Sequence, residues 1–281
     1  MITSSLNEAL TQAVLSQVDA LTNAEHREAL PEQARIALSH GKPGIWHLLV
    51  TTDDGSIAAY AQAHSVLGGI ELQLMGDHWT PEFDDLLEAE HLNAGRISMW
   101  LHGQATPIIT PPGYTIDRAL RLMSIDLPSL EPGSTNYLLR TFIVGRDEDS
   151  WLEINARAFA GHPDQGGWTR ADLDARLASS WFDPRLFLVL MNDQDMIGFC
   201  WVKMEPEHPD RGEIYVIAVD PGFGGQGLGR YLVLSGLNAM HRRGASRATL
   251  YVENDNEAAL SLYEGLGFSE VSRDVRISRE P

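Results

Sequence analysis

The chain has 281 residues, room for two ordinary domains, and its 43% apolar content lets each bury a core. A formal net charge of −18 and a pI of 4.8 oppose nucleic acid and anionic membrane surfaces as partners, although an anionic cofactor would still need a local basic patch. One cysteine, Cys200, excludes an intrachain disulfide and fits a reducing compartment.

Met1–Leu15 has neither a basic lead nor a continuous apolar stretch, so no secretory signal is expected. No run approaches the ~18–20 apolar residues of a membrane span, and a cytoplasmic location follows as the expectation. Spacing predicts helices over Ser5–Leu21 and Pro31–Ser39. Strands are expected over Trp46–Thr51, Ile57–His64 and Ile70–Met75, joined by turns at Asp54-Gly55 and Gly68-Gly69. Pro81–His91 reads as a helix with Thr80 as cap and Pro81 at its first position, and Ile97–Leu101 as a strand.

Leu127–Thr135, with two prolines and a glycine, reads as a linker, which sets the expected domains at 1–130 and 136–281. Beyond it, helices are predicted over Asp147–Ala160 and Ala171–Ala178. Leu186–Met191 and Ile197–Lys203 form a strand pair about the turn Asn192–Asp195. Glu213–Val219 is the next strand. A glycine-dense loop follows, then a helix to about Arg243, a strand over Ala248–Glu253 and a short helix over Asn256–Glu264. Gly265 is expected as its C′ glycine, and a last strand runs near Ser269–Ile277.

The two halves repeat one α+β plan but differ at one junction. After Val219 the chain runs Asp220-Pro221-Gly222-Phe223-Gly224-Gly225-Gln226-Gly227-Leu228-Gly229-Arg230 into a helix, which presents bare backbone N–H groups and a positive dipole end to an anion such as a pyrophosphate. After Met75 the counterpart is Gly76-Asp77-His78-Trp79-Thr80-Pro81-Glu82-Phe83-Asp84-Asp85. Its carboxylates suit a helix N-terminus but repel a phosphate. The first half is therefore expected not to hold the same cofactor productively.

Gly222–Gly227 spells G-x-G-x-x-G, the dinucleotide fingerprint, with Glu253 or Asp255 as a possible ribose acid. Too few strand–helix units follow it for that fold. A nucleoside-triphosphate loop needs Gly-Lys-Ser/Thr, whereas Gly229 precedes Arg230-Tyr231. A glycine turn that merely joins strand to helix is a further reading. The loop is followed, one helix and one strand later, by Asn256-Glu257-Ala258-Ala259-Leu260-Ser261-Leu262-Tyr263-Glu264-Gly265-Leu266-Gly267-Phe268. These two signatures in this order resemble the GNAT superfamily of acyl-CoA-dependent N-acyltransferases. The fold implied is α/β (α+β): two tandem GNAT-like domains, each a mixed, mostly antiparallel twisted sheet flanked by helices. Members usually carry Gln or Arg where this chain has Gly224.

Asn155–Trp168, Trp181-Phe182-Asp183-Pro184 and Tyr251–Asn256 are similar to the mycothiol synthase family, a tandem whose first domain is degenerate. That resemblance implies acetyl-CoA as cosubstrate. The acceptor would be the cysteinyl amine of a cysteine–glucosamine–inositol conjugate, with a small molecule rather than a macromolecule as partner and a monomer as the acting form. It assigns Glu213 as general base and Tyr263 as the acid for the departing thiolate. The bland readings are a solvated strand-end carboxylate and a core aromatic.

Cofactor contacts implied are Ile217, Ala218 and Val219 on the strand, and Gly224, Gly225, Gln226, Gly227, Leu228, Gly229 and Arg230 at the loop. Asn256, Glu257, Ala258, Ala259, Leu260 and Ser261 join them on the later helix. Acceptor contacts implied are Asp164, Lys203, Glu213 and Tyr251, with Glu32 from the first half. His162, His208 and His241 lack paired ligands at useful spacing, so no metal is expected. A protein N-terminal or lysine acetyltransferase, or a non-catalytic CoA-binding module, would share the same signatures.

Overall fold

The computed structural model describes all residues except 26–28, 41–43, 93–94, 105–107, 128–130, 163–164 and 207, and within the first two helices it leaves out the side chains of 23–25, 32, 33, 36 and 40. The chain divides into two compact units, Met1–Leu120 with Ser272–Pro281, and Arg121–Val271. The segment read as a linker, Leu127–Thr135, has no regular structure at 127 and 131–135, and the division falls before it, between Leu120 and Arg121. The last strand, which chain order places with the second half, is part of the first unit.

In the first unit, α1 (Glu8–Glu25) and α2 (Glu32–His40) precede β2 (Ile45–Thr51), β3 (Ile57–Val66) and β4 (Gly69–Leu74), after a short β1 (Ile2–Thr3). The Asn7 side chain starts α1 by accepting from the Leu10 N–H at 2.9 Å. Then come α3 (Pro81–Ala89), β5 (Arg96–Gln104) and the first half of β6 (Thr115–Asp126). The sheet order is β1-β2-β3-β4-β5-β12, where β12 is Ser269–Arg279. All these neighbours are antiparallel except β4 and β5. Phe83 and Leu87 of α3 pack on one face with Ile70, Leu72 and Met99; Val14, Val18 and Leu38 of α1 and α2 pack on the other with Leu49 and Tyr60. Val275 and Ile277 of β12 are fully buried in the first of these cores.

The second unit repeats the plan with β7 (Leu138–Thr141), α4 (Glu148–Ala158), α5 (Arg170–Leu177), β8 (Phe187–Asn192), β9 (Asp195–Lys203) and β10 (Arg211–Val219). After these come α6 (Leu228–His241), β11 (Arg247–Glu253) and α7 (Glu257–Glu264). Strand order is β6-β11-β10-β9-β8-β7, and β10 runs parallel to β11. Thr169 and Asp172 close α5 with a full capping box. One face of the sheet is covered by α6 and α7, through Cys200, Val202 and Ile214. The other is covered by α4 and α5, through Phe187, Phe199, Trp201 and Val216.

Two details differ from the sequence reading. Gly265 caps α7 in an ordinary right-handed conformation, with φ −66°. The left-handed residue is Gly267, at φ 97°. Phe268 N–H donates to the Tyr263 carbonyl at 3.0 Å and Gly267 N–H to that of Glu264 at 2.9 Å, so the helix ends in a Schellman motif two residues later than expected. Its closing apolar contact joins the rings of Phe268 and Tyr263, 5.8 Å apart. Strand β6 is the second: Asp117-Arg118, Ala119-Leu120 and Leu122-Met123 break the period of two, so its sequence carries no strand pattern.

Candidate active site

The parallel ladder between β10 and β11 spans only four pairs, from Arg211–Arg247 to Ile214–Leu250, although both strands continue. Beyond Ile214 the edge of β10 facing β11 is therefore out of ladder contact with it, and its N–H and C=O groups need other partners. On its other edge β10 stays paired with β9 as far as Val219–Gly198. A bulge between Ile214 and Val216 inserts Tyr215. It puts Tyr215 and Val216 on the same α4/α5 face and so reverses the alternation beyond them.

The loop after β10 is built around two left-handed glycines. Gly225 and Gly227 have φ 74° and 75°, a conformation that side chains with a Cβ rarely adopt. Gly227 is the N-cap of α6, no acidic side chain sits in the first turn, and the first helical N–H to find a carbonyl is that of Tyr231. The N–H groups of Leu228, Gly229 and Arg230 thus remain for an anion. The Arg230 guanidinium reaches the Gly265 carbonyl at 3.5 Å, so its contribution here is its backbone N–H. Gly224 is extended, at φ −62°, and an added Cβ would meet only the Pro221 carbonyl at 3.4 Å.

Residues that sequence reasoning missed brace this loop. The Asp220 carboxylate accepts from Gly222 N–H at 2.8 Å and from Arg157 on α4 at 2.6 Å. Together they hold its carboxyl below the usual range. Tyr137 donates to the Gln226 side chain at 3.1 Å and packs edge-on to Phe223 at 5.9 Å. Arg157 lies within the Asn155–Trp168 run, so a search for an acid–base pair across that run and Asp220 would have found the first brace.

Glu213 and Tyr263 flank the gap from opposite faces of the sheet. Gly212 faces α6, where an added Cβ would strike the Met240 sulfur at 2.8 Å, so Glu213 projects to the α4/α5 side. Burial pushes its carboxyl up to about 7, with Lys203 opposing and Glu205 reinforcing. Tyr263 is buried among α6, α7 and β9 residues, and burial, then the neighbouring Cys200, raises its phenol. Cys200 pairs with Ile217 on the ladder, which sets the depth of the phenol along β10. The Cys200 thiol is itself pushed up to about 12 by burial, which leaves it inert. A molecule threaded between β10 and β11 would have Glu213 on one face of the sheet and Tyr263 on the other.

The first unit shows the same splay without its fittings. The β4–β5 ladder also ends after four pairs, at Leu72–Met99. There Asp77 accepts from both the backbone N–H of His102 (2.9 Å) and its ring Nδ1 (2.8 Å). The carboxylate ties the loop after β4 to β5, and no helix follows β5 before β6 among the described residues, so α7 has no counterpart.

A mycothiol acetyltransferase of Kineococcus radiotolerans aligns with 96% of this chain and 93% of its own length at 37% identity. The chain belongs to the mycothiol acetyltransferase family. Residues 149–268 match the acetyltransferase (GNAT) family. The fold is also that of a GCN5-related N-acetyltransferase from Sphaerobacter thermophilus (TM-score 0.69, 20% identity, 100% of this chain and 95% of that one). A tandem GNAT protein from the clavulanic acid biosynthesis pathway matches at TM-score 0.66 and 16% identity, over 98% of this chain and 96% of that one. A tandem GNAT fold and an acetyltransferase are thus what the chain is.

Within that family frame, the structure groups some expected site residues and separates others. Lys203 is the ladder partner of Glu213 on β9, and Thr249 on β11. Tyr251, two residues further along β11 and 44% exposed, shares their face because Leu250 and Val252 point into the α6/α7 core. Ile217 and Val219 face α6, while Ala218 faces α4. Asn256 caps α7, accepting from Ala259 N–H at 3.1 Å, and Glu257, Ala258 and Ser261 are exposed. Leu228 and Leu260 are core residues, so only their backbone can meet a ligand. Asp164 and the side chain of Glu32 lie outside the described residues.

Proposed function

We propose that this protein transfers the acetyl group of acetyl-CoA to the cysteinyl amine of a cysteine–glucosamine–inositol conjugate, with the second unit as the catalytic one. The observation that carries the reading is the splayed β10–β11 pair with a raised carboxylate on one face and a buried phenol on the other. The donor set fits acetyl-CoA: free N–H groups at Leu228–Arg230 suit a pyrophosphate, and the open edge of β10 beyond Ile214 suits an extended amide-bearing arm. Acetyl-CoA supplies a thioester already activated for attack.

The chain's own residues then hold, orient and move protons. Backbone N–H groups over Val216–Val219 face developing negative charge on the carbonyl oxygen. Glu213, with a value of about 7, takes a proton from the acceptor ammonium, leaving the nitrogen neutral for attack. A cysteinyl α-amine titrates near ~7.7–8, so the transfer is close to balanced. Tyr263 stays protonated because burial raises its phenol. As the C–N bond forms and the C–S bond breaks it donates to the sulfur, whose own basicity rises in the same apolar surroundings; the proton shed by the new amide nitrogen restores the phenol through solvent, and Glu213 releases its own proton to solvent. Lys203 and Tyr251 offer polar contacts to the sugar and inositol hydroxyls.

The protein acts as a cytoplasmic monomer on a small molecule. No described helix is long and apolar enough to cross a membrane. The deciding experiment mixes purified protein with acetyl-CoA and the cysteinyl pseudodisaccharide. Loss of thioester absorbance with an acetylated product in the mass spectrum supports the reading. Faster turnover on an N-terminal or lysine peptide than on the pseudodisaccharide refutes it. Light scattering tests the monomer.

A further inference from the structure

Glu213 shares a cavity of about 130 Å³ with Lys203, Glu205, His208, Arg211 and Thr249. The ladder sets Lys203 directly opposite Glu213, on the same face of adjacent strands. Cross-strand neighbours of opposite charge ordinarily attract one another. The Lys203 ammonium nevertheless lies 2.8 Å from the Glu205 carboxylate, on the connection just after β9. It also stands 5.6 Å from the centre of the Trp181 ring, which packs at 5.1 Å on the ring of Tyr215. Tyr215 in turn accepts from Arg176 Nε at 2.8 Å. Trp181 and Glu205 thus hold the lysine from two sides.

We propose that Glu205 is a positioning residue for Glu213: by engaging Lys203 in its own ion pair, it keeps the lysine charge from settling on Glu213 and so preserves Glu213 as a base. The inference rests on reading Glu213 as the base. Among the described residues, the other groups facing Glu213 do not substitute for Glu205. Arg211 on β10 lies 3.9 Å from Asp210, His208 is on the same connection as Glu205, and Thr249 on β11 carries no charge. Glu205 is 44% exposed and Lys203 23%, so the pair itself adds little stability and its value is directional.

The test replaces Glu205 by Gln and by Asp in the full chain and follows the Glu213 carboxyl by 13C NMR titration alongside the pH profile of kcat/KM. In E205Q the lysine turns to Glu213, whose titration moves down by about 0.5–1 pH unit. The acid limb of the rate profile moves with it, and the plateau falls about two- to fivefold as the base weakens. KM for acetyl-CoA stays unchanged, and E205D keeps the parent titration. An unmoved Glu213 titration in E205Q overturns the proposal, as does E205D behaving like E205Q. A titration that moves while the rate profile stays still supports the electrostatic link and removes Glu213 as the base instead. A folded E205Q is verified by its near-UV dichroism, and if it is unfolded, Lys203→Met must raise the Glu213 titration or the proposal fails.

Discussion

Glu213→Gln is expected to make the protein more stable while it makes it a poorer enzyme. The folded-state value of about 7 stands above the ordinary 4.5, so the folded protein holds that proton more tightly than the unfolded chain. The stability this contributes is complete below pH 4.5 and is lost as pH rises through 7, when the carboxylate must ionise in a poorly hydrated site. At about 1.4 kcal/mol per pH unit, the gap from 4.5 to about 7 sets a ceiling of roughly 3 kcal/mol. The carboxylate is only partly buried and Lys203 is near, so about 1–2 kcal/mol is the working figure. For a unit of this size, at about 2–4 °C per kcal/mol, that is about 2–8 °C in Tm. The assay is thermal unfolding of parent and variant at pH 8 and pH 5. The variant should melt higher at pH 8 and coincide with the parent near pH 5. An equal shift at both values, or none at pH 8, refutes the desolvated carboxylate. In the same samples the parent kcat/KM should fall about tenfold per pH unit below 7, and the variant should lie about 100-fold or more below the parent plateau.

Gly227→Ala forces a Cβ into a left-handed N-cap at φ 75°, at about 1–2 kcal/mol. KM for acetyl-CoA should rise about tenfold with kcat within twofold, and an unchanged KM would dissociate the loop from cofactor binding. Gly224→Arg meets no such strain, since the backbone there is extended and a Cβ makes only an ordinary contact with the Pro221 carbonyl. It should leave Tm within about 1 °C and lower KM for acetyl-CoA; a higher KM would show that no contact is missing at this position. Tyr263→Phe keeps the packing on Phe268 and deletes only the hydroxyl. Turnover should fall about 10–100-fold with KM unchanged, and a thioester with a more acidic leaving thiol should recover most of the loss. Full kcat in the variant would return Tyr263 to a purely structural role.

The loop was legible because its chemistry is local. Gly225 and Gly227 sit where the backbone excludes a Cβ, and a glycine run between a β-branched strand and an apolar helix has few other reasons to exist. Asn256 was legible as a helix start for the same kind of reason, since its cap bond spans three residues. What stayed hidden depends on partners distant in the chain. Tyr215 and Val216 are both apolar, so nothing in the run Glu213–Val219 marks the bulge that reverses its faces. Glu205 reads as one carboxylate in a polar connection until the ladder sets Lys203 beside Glu213. The C-cap slipped from Gly265 to Gly267 because two glycines compete within three residues, and the Phe268–Tyr263 contact decides between them.

The placement of Ser272–Pro281 bears on how the chain is made. The second unit is contiguous, Arg121–Val271, whereas the first is completed only by residues that follow it, Ser272–Pro281. Val275 and Ile277, both fully buried, fill the first unit's core from that strand. On a ribosome the order of maturation is therefore inverted: the later unit can close its sheet while the earlier one still waits with an open edge. A chain cut before Ser272 would keep the whole of the second unit but leave the first without Val275 and Ile277, so its loss should be read in the stability of the earlier unit rather than the later one.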